Sequence, residues 1–328
     1  MTQVVEIREA LRQAIDEEME RDETVLLMGE EVAEYNGAYK VSKGMLDKWG
    51  DKRIIDTPIS ENGFTGLAIG AAMTGLRPIV EFMSFNFSFV AFDQIVSNAC
   101  KMFYMSGGRF KVPIVFRGCN GAAAQVSCQH SHDVSALYSY FPGLKVVSPS
   151  TPYDAKGLLK SAIRDDNPVL VLENELDYGV KGEIPDGEFL VPIGDAKVEK
   201  EGSDLTLVSH SRMMAHCRTA MKEMEKKGVS IELIDLRSIK PLDLATIASS
   251  VRKTNRLIVV EEGHQFAGVA AEVTTQIQEN CFDYLDAPVA RVCQMETPLP
   301  YAKNMERATQ PNPERIIDEI ERTLCRSH

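Results

Sequence analysis

Short runs rich in Val, Ile or Leu alternate with stretches of helical period along nearly the whole chain, and this alternation restricts the fold more than any other feature. The runs Val25 to Met28, Arg53 to Asp56, Pro78 to Phe82, Val112 to Arg117, Leu144 to Ser148 and Pro168 to Glu173 read as strands covered on both faces. Between them, helical patterns cover Gly63 to Thr74, Phe87 to Met105 and Tyr153 to Arg164, the last opened by Thr151 as N-cap with Pro152 in the first helical position. Upstream, Ile7, Leu11, Ile15 and Met19 fall on every fourth position and predict a helix with one buried stripe and an acidic outer face. From Asp177 to Glu201, Gly and Pro gather among charged residues without a sustained period. Beyond this stretch the alternation resumes. Strands are expected at Leu205 to Ser209, Ser230 to Leu236, Arg256 to Glu261 and Val289 to Val292; helices at Met213 to Lys227, Leu242 to Lys253, Val269 to Glu279 and Glu314 to Leu324. The expected fold class is α/β, with two mainly parallel-sheet domains at 1–185 and 202–328 joined by a linker at 186–201.

Charge narrows the partners. With 36 basic and 48 acidic side chains the net charge is −12, which argues against nucleic-acid binding. The 7 cysteines form no CxxC pair and are odd in number, as expected in a reducing compartment. The acidic, amphipathic N-terminal segment has the layout of neither a signal nor a transit peptide, and no apolar run approaches the roughly 20 residues of a membrane span. A soluble, cytoplasmic protein with no membrane partner is the resulting expectation.

Three places carry candidate chemistry. The segment Asp56-Thr57-Pro58-Ile59-Ser60-Glu61 leads from a strand into a Gly-rich helix, which sets Glu61 at a helix N-terminus on the ligand-binding edge of an α/β sheet. Glu61 there either complements the helix dipole or faces a ligand. In Glu81-Phe82-Met83-Ser84-Phe85-Asn86-Phe87, continued strand geometry would align Met83, Phe85 and Phe87 on one face, as core packing or as a shelf for a flat ring. The cluster Cys128-Gln129-His130-Ser131-His132-Asp133 follows a Gly-rich loop at a strand end. Structural zinc draws its ligands from well-separated pairs and no second cluster exists, so an imidazole acting as acid or base, or simply a satisfied loop histidine, fits better. His210, His216, His264 and His328 have no comparable setting. Dinucleotide, P-loop, zincin and serine-hydrolase motifs are missing.

These residues lie within longer segments. IIDTPISENGFTGLAIGAAMTGLRP, VEFMSFNFSFVAFDQIVSNACKMFYMSGG, VPIVFRG, CQHSH, FPGLKVVSPSTPYDAKGLLKSAIRDDNPVLVLENEL and IELIDLRSIKPLD closely resemble the β subunits of the pyruvate dehydrogenase E1 component, in the thiamine diphosphate-dependent 2-oxoacid dehydrogenase family. The resemblance runs from about Val4 to Leu324. It implies transketolase-like domains, a pyrimidine-binding one and a C-terminal one, and an α2β2 heterotetramer with active sites between chains. Glu61 takes the position of the glutamate that hydrogen-bonds N1′ of the aminopyrimidine, Phe87 that of the stacking aromatic, and Met83 and Ile59 those of apolar residues lining the same pocket. His130 matches the active-site histidine of proton transfer during reductive acylation.

The resemblance also implies that Mg2+ on the pyrophosphate is held by the α subunit, since this chain contains no GDG motif. A structural potassium ion is implied at Ile114, Ala162, Ile163, Asp165 and Asn167. The second domain is expected to make subunit contacts and to dock the E2 acetyltransferase, whose lipoyl group accepts the acetyl product. Two positions depart from the pattern: His132 stands where relatives often have Gln, and Tyr140 where many have His. The implied activity is oxidative decarboxylation of pyruvate with acetyl transfer to lipoamide. Alternatives are a branched-chain 2-oxoacid or acetoin dehydrogenase β subunit, a catalytically silent scaffold, or a flavoprotein subunit.

Overall fold

The computed structural model describes residues 2–325 and divides them into two compact units. One contains the chain up to Asn120 and Leu137–Ile193; the other contains Gly121–Ala136 and the chain from Gly194 onward. Residues 121–136, inserted in the sequence of the first unit, thus cluster with the second.

In the first unit the strands run, in order across the sheet, Lys145–Val147, Val169–Glu173, Val115–Cys119, Arg77–Glu81, Val25–Gly29 and Ile54–Asp56, all parallel to their neighbours. Every residue of Val115–Cys119 and Val169–Glu173 is buried, Arg117 and Glu173 included, as expected of strands in a parallel sheet covered on both faces. Helix Ile7–Arg21 packs its Ile7, Leu11, Ile15 and Met19 stripe into one core with Leu158, Leu159, Ala162 and Ile163 of helix Pro152–Arg164. Thr151 caps the latter, its hydroxyl accepting the Asp154 N–H at 3.2 Å ahead of Pro152.

Two expectations are corrected here. The stretch from Phe87 to Met105 is not one helix but a 3₁₀ turn Phe85–Phe89, a π turn Gln94–Ala99 and a short helix Met102–Met105. The Ser88 hydroxyl donates to the Phe85 carbonyl at 2.6 Å, and the chain at Gly143 lies so close that a Cβ there would be 2.2 Å from the Cys100 carbonyl oxygen. Such local competition and crowding break a regular ladder. Secondly, the aperiodic stretch after Asp177 contains strand Lys181–Pro185, paired antiparallel with Thr2–Glu6, a strand for which neither partner carries an apolar alternation.

The second unit is a five-stranded sheet in the order Ala290–Gln294, Leu257–His264, Leu205–Ser209, Ile231–Asp235 and Lys197–Lys200, the last antiparallel and the rest parallel. Helices Met213–Lys226 and Pro313–Thr323 close a core over it through Met214, Cys217, Met221, Ile316 and Ile320. No helix among the described residues is long and apolar enough to cross a membrane.

Candidate functional site

Parallel strands bring their carboxyl ends to one edge, and there the first unit gathers its buried acids. Gly29 pairs with Asp56 in register, so the residues that follow these two strands meet. The Asp56 carboxylate accepts the Ala33 and Glu34 N–H groups at 2.7 and 3.1 Å and pins the loop that begins with Glu30. Glu61, the first residue of helix Glu61–Met73, is buried at the positive end of that helix. Glu30 lies beside it, equally buried. Burial first, then the charge of Glu61 and a hydrogen bond with it, push the Glu30 carboxyl up to about 7. The Glu30 carboxyl therefore keeps its proton up to about pH 7 beside Glu61, an arrangement suited to proton exchange with a ligand nitrogen. Glu30 was missed by the sequence reading; Gly29-Glu30 at the end of an apolar run was the available signal.

The shelf next to this pair differs from its expected form. The strand stops at Glu81, and Ser84 turns the chain by accepting the Asn86 N–H, so Phe85 points into the core against Phe82 at 5.5 Å rather than sharing a face with Met83 and Phe87. Met83 and Phe87 stay half-buried, and Ile59 is 84% exposed. Phe82 also meets Phe64 of the Glu61 helix at 6.0 Å, tying helix and shelf together. Beneath, the Phe82 N–H donates to the Arg117 carbonyl at 2.9 Å and the Cys119 thiol to the Met83 carbonyl at 3.1 Å. Burial pushes that thiol up to about 12, so it serves as a donor and not as a thiolate. The fully buried Arg117 guanidinium is flanked by Glu81 and Glu173, with the Tyr178 hydroxyl donating to Glu173 at 2.7 Å.

His130 belongs to the second unit, apart from the grouping that holds Glu61, Ile59, Met83 and Phe87. It is half-buried in a 3₁₀ turn, Cys128–His130. The Gly121 N–H donates to the His132 carbonyl at 3.0 Å and closes the intervening segment into a loop. Here the structure corrects the sequence reading of His264: it lines a cavity of about 440 Å³ with Cys128, His132, Asp133, Phe266 and Leu299. Burial and then the charge of His264 lower the His132 imidazole below its ordinary value. Burial and then Asp133 push Glu261, behind this cavity, up to about 7. His210 is buried as well, lowered by desolvation, while His328 lies outside the described residues. No cluster of His, Cys, Asp or Glu among the described residues could hold a metal ion.

Of the implied cation positions, Ala162, Ile163, Asp165 and Asn167 lie at or just past the C-terminus of helix Pro152–Arg164, and Ile114 directly precedes strand Val115–Cys119. The Arg77 guanidinium donates to the Ile163 and Asp165 carbonyls at 3.1 Å each, the Asp165 N–H to the Ala162 carbonyl at 3.2 Å, and the Val169 N–H to the Ile114 carbonyl at 3.0 Å. The Asp165 carboxylate is engaged by Lys145 and by Asn167. Each of these carbonyls retains a second lone pair.

A family model described as the transketolase pyrimidine-binding domain matches residues 3–181, and one described as the transketolase C-terminal domain matches residues 194–316. The mitochondrial pyruvate dehydrogenase E1 component subunits beta of Bos taurus and Homo sapiens are each 56% identical to this chain over 325 residues, covering 98% of it and 90% of theirs. The subunit of Caenorhabditis elegans is 54% identical over 323 residues, covering 97% and 92%. The chain belongs to this family of E1 β subunits. Its two units are transketolase-like α/β folds, and the buried acids of the first lie within the stretch that matches the pyrimidine-binding domain. A solved split-gene transketolase, an inactive beta4 tetramer, superposes with a TM-score of 0.81 over 98% of each chain; at 20% identity that likeness concerns the fold.

Proposed function

We propose that this chain is the β half of a pyruvate dehydrogenase that decarboxylates pyruvate oxidatively and passes the acetyl group to lipoamide on E2. The observation that carries the reading is Glu61, buried at a helix N-terminus with its carboxyl beside the proton-holding Glu30, in a chain 56% identical to E1 β subunits. The residues fit an aminopyrimidine. Its polar edge would meet buried Glu61 and the proton-holding Glu30, while half-buried Met83 and Phe87 and exposed Ile59 would offer it apolar surface. Thiamine diphosphate, when bound, supplies the nucleophilic carbon and the electron sink for loss of carbon dioxide.

Glu61 would hold the proton at N1′ and fix the ring's orientation, with protonated Glu30 beside it. Phe87 and Met83 position the ring. His130 moves a proton at the acceptor sulfur during acyl transfer. With no GDG motif in this chain, Mg2+ and the pyrophosphate fall to an α subunit, which makes this a half-site in an α2β2 assembly. A potassium ion at Ile114, Ala162, Ile163, Asp165 and Asn167 would use spare carbonyl lone pairs near a helix C-terminus, where partial negative charge favours a cation. Exchanging potassium for a bulky organic cation should lower the melting temperature of the complex by a few degrees, about the effect of 1 kcal/mol; no change would remove the ion from this account.

Mixing the chain with an α subunit tests the reading. Pyruvate-dependent reduction of an artificial electron acceptor is expected only from the mixture, and only with thiamine diphosphate and Mg2+ present. A well-formed complex that binds the cofactor yet ignores pyruvate would overturn it in favour of another 2-oxoacid.

A further inference from the structure

The segment from Gly121 to His132 is a loop whose ends are joined by one backbone hydrogen bond, the Gly121 N–H to the His132 carbonyl at 3.0 Å. Its outer part is exposed at Ala124, Gln125, Val126, Cys128 and Gln129, with Gln125 and Ser127 at φ of 61° and 68°, and is held by local bonds such as the Ser131 hydroxyl donating to the Ser127 carbonyl at 2.7 Å. A compact surface loop of this kind takes its position from its base. At the base stands Glu262, which is buried. Its carboxylate accepts the Ala122 N–H, and the Gln310 side-chain amide donates to the same oxygen at 3.3 Å. It lies so close to the chain that a Cβ on Gly121, already at φ 78°, would be 2.7 Å from the carboxylate carbon and both oxygens. A side chain at residue 121 would have to displace the carboxylate, so the base is built around it.

We propose that Glu262 is a positioning residue for His130: by clamping the loop base at Gly121 and Ala122 it sets where the imidazole sits. A charge-assisted bond from a buried carboxylate to a backbone N–H is among the stronger single anchors available. The bond next to it ends on the carbonyl of His132, two residues past His130, so a shift at the base reaches the imidazole through a short, closed path. The inference rests on the reading that His130 serves acyl transfer.

The test compares two rates in the assembled enzyme with its α subunit: pyruvate-dependent reduction of an artificial acceptor, which needs no lipoyl group, and acetylation of a free lipoyl domain. For Glu262→Ala the ratio of acetylation to acceptor reduction should fall about tenfold, the scale of a sub-ångström misplacement. Glu262→Gln, whose amide oxygen still accepts the Ala122 N–H, should restore the ratio to within about threefold. If the alanine variant does not assemble, Glu262→Asp, with a carboxylate too short to reach, should show the same selective fall. An equal loss of both rates, or no change in the ratio, would overturn the inference. His130→Ala runs alongside. If it abolishes acetylation while Glu262→Ala leaves the ratio alone, His130 keeps its role and only the clamp fails. If His130→Ala leaves acetylation intact, the reading beneath the inference is what fails.

Discussion

Glu61 and His130 are held in opposite ways. Glu61 is the first residue of a helix seated on a sheet whose central strands are buried throughout, with an ion network of Arg117, Glu81 and Glu173 beneath. His130 is carried by a loop with an exposed outer part, fixed at its base by one backbone hydrogen bond and the Glu262 carboxylate. In the proposed role of Glu61, holding one proton at one ring nitrogen, a rigid support is an advantage. In the proposed role of His130, meeting an acyl acceptor that arrives from outside, an exposed loop is an advantage.

The contrast breaks first at the scaffold. Arg117→Met leaves two buried carboxylates without their cation and should cost about 3–5 kcal/mol, read as a fall in the denaturant midpoint. A loss below about 1 kcal/mol would mean that the network does not support the shelf. Next comes Glu30→Gln, which removes the titrating carboxyl beside Glu61 and should lower the overall rate about tenfold. Its pH signature has a definite sign. Glu30 keeps its proton to about pH 7 in the folded chain against an ordinary value of 4.5, so between these limits the folded state binds a proton that the unfolded state has released. That contribution to stability is fully present below pH 4.5 and is lost as pH rises through about 7. Relative to wild type, the glutamine variant should show a shallower decline of stability across this window, and an unaltered slope would separate Glu30 from the pair. On the loop side the smallest effect is expected. Ser127→Gly relieves a left-handed backbone and should change the unfolding free energy of the chain by no more than about 1 kcal/mol in the stabilising direction. A clear destabilisation would show that the loop is more tightly built than its exposure indicates.

The same contrast explains what was legible in the sequence. Thr151 and Pro152 mark a helix start by local chemistry alone, and the buried strands show in their Val, Ile and Leu content; both were read within a few residues. The place of Glu61 at a helix N-terminus was legible because a strand, a turn and a Gly-rich helix follow one another in the chain. Glu30 was not, because its partner is set by the parallel register that puts Gly29 against Asp56, a long-range pairing no local pattern encodes. The side taken by Phe85 was misread because the period of two ends with the strand at Glu81. For the loop at 121–136 the determining residues, Glu262 and Gln310, lie far along the chain, so nothing near His130 in the sequence announces its support.

The most direct measurement is Glu61→Gln in the complex with the α subunit, assayed for thiamine diphosphate binding and for pyruvate-dependent acceptor reduction. Glutamine keeps the size of the side chain and a hydrogen-bonding group but cannot exchange the proton. Binding should stay within about tenfold of wild type while turnover falls at least about 10²-fold, the range of general acid–base catalysis. Turnover close to wild type with the cofactor bound would contradict the account, because Glu61 would then only hold the ring and the proton would come from elsewhere.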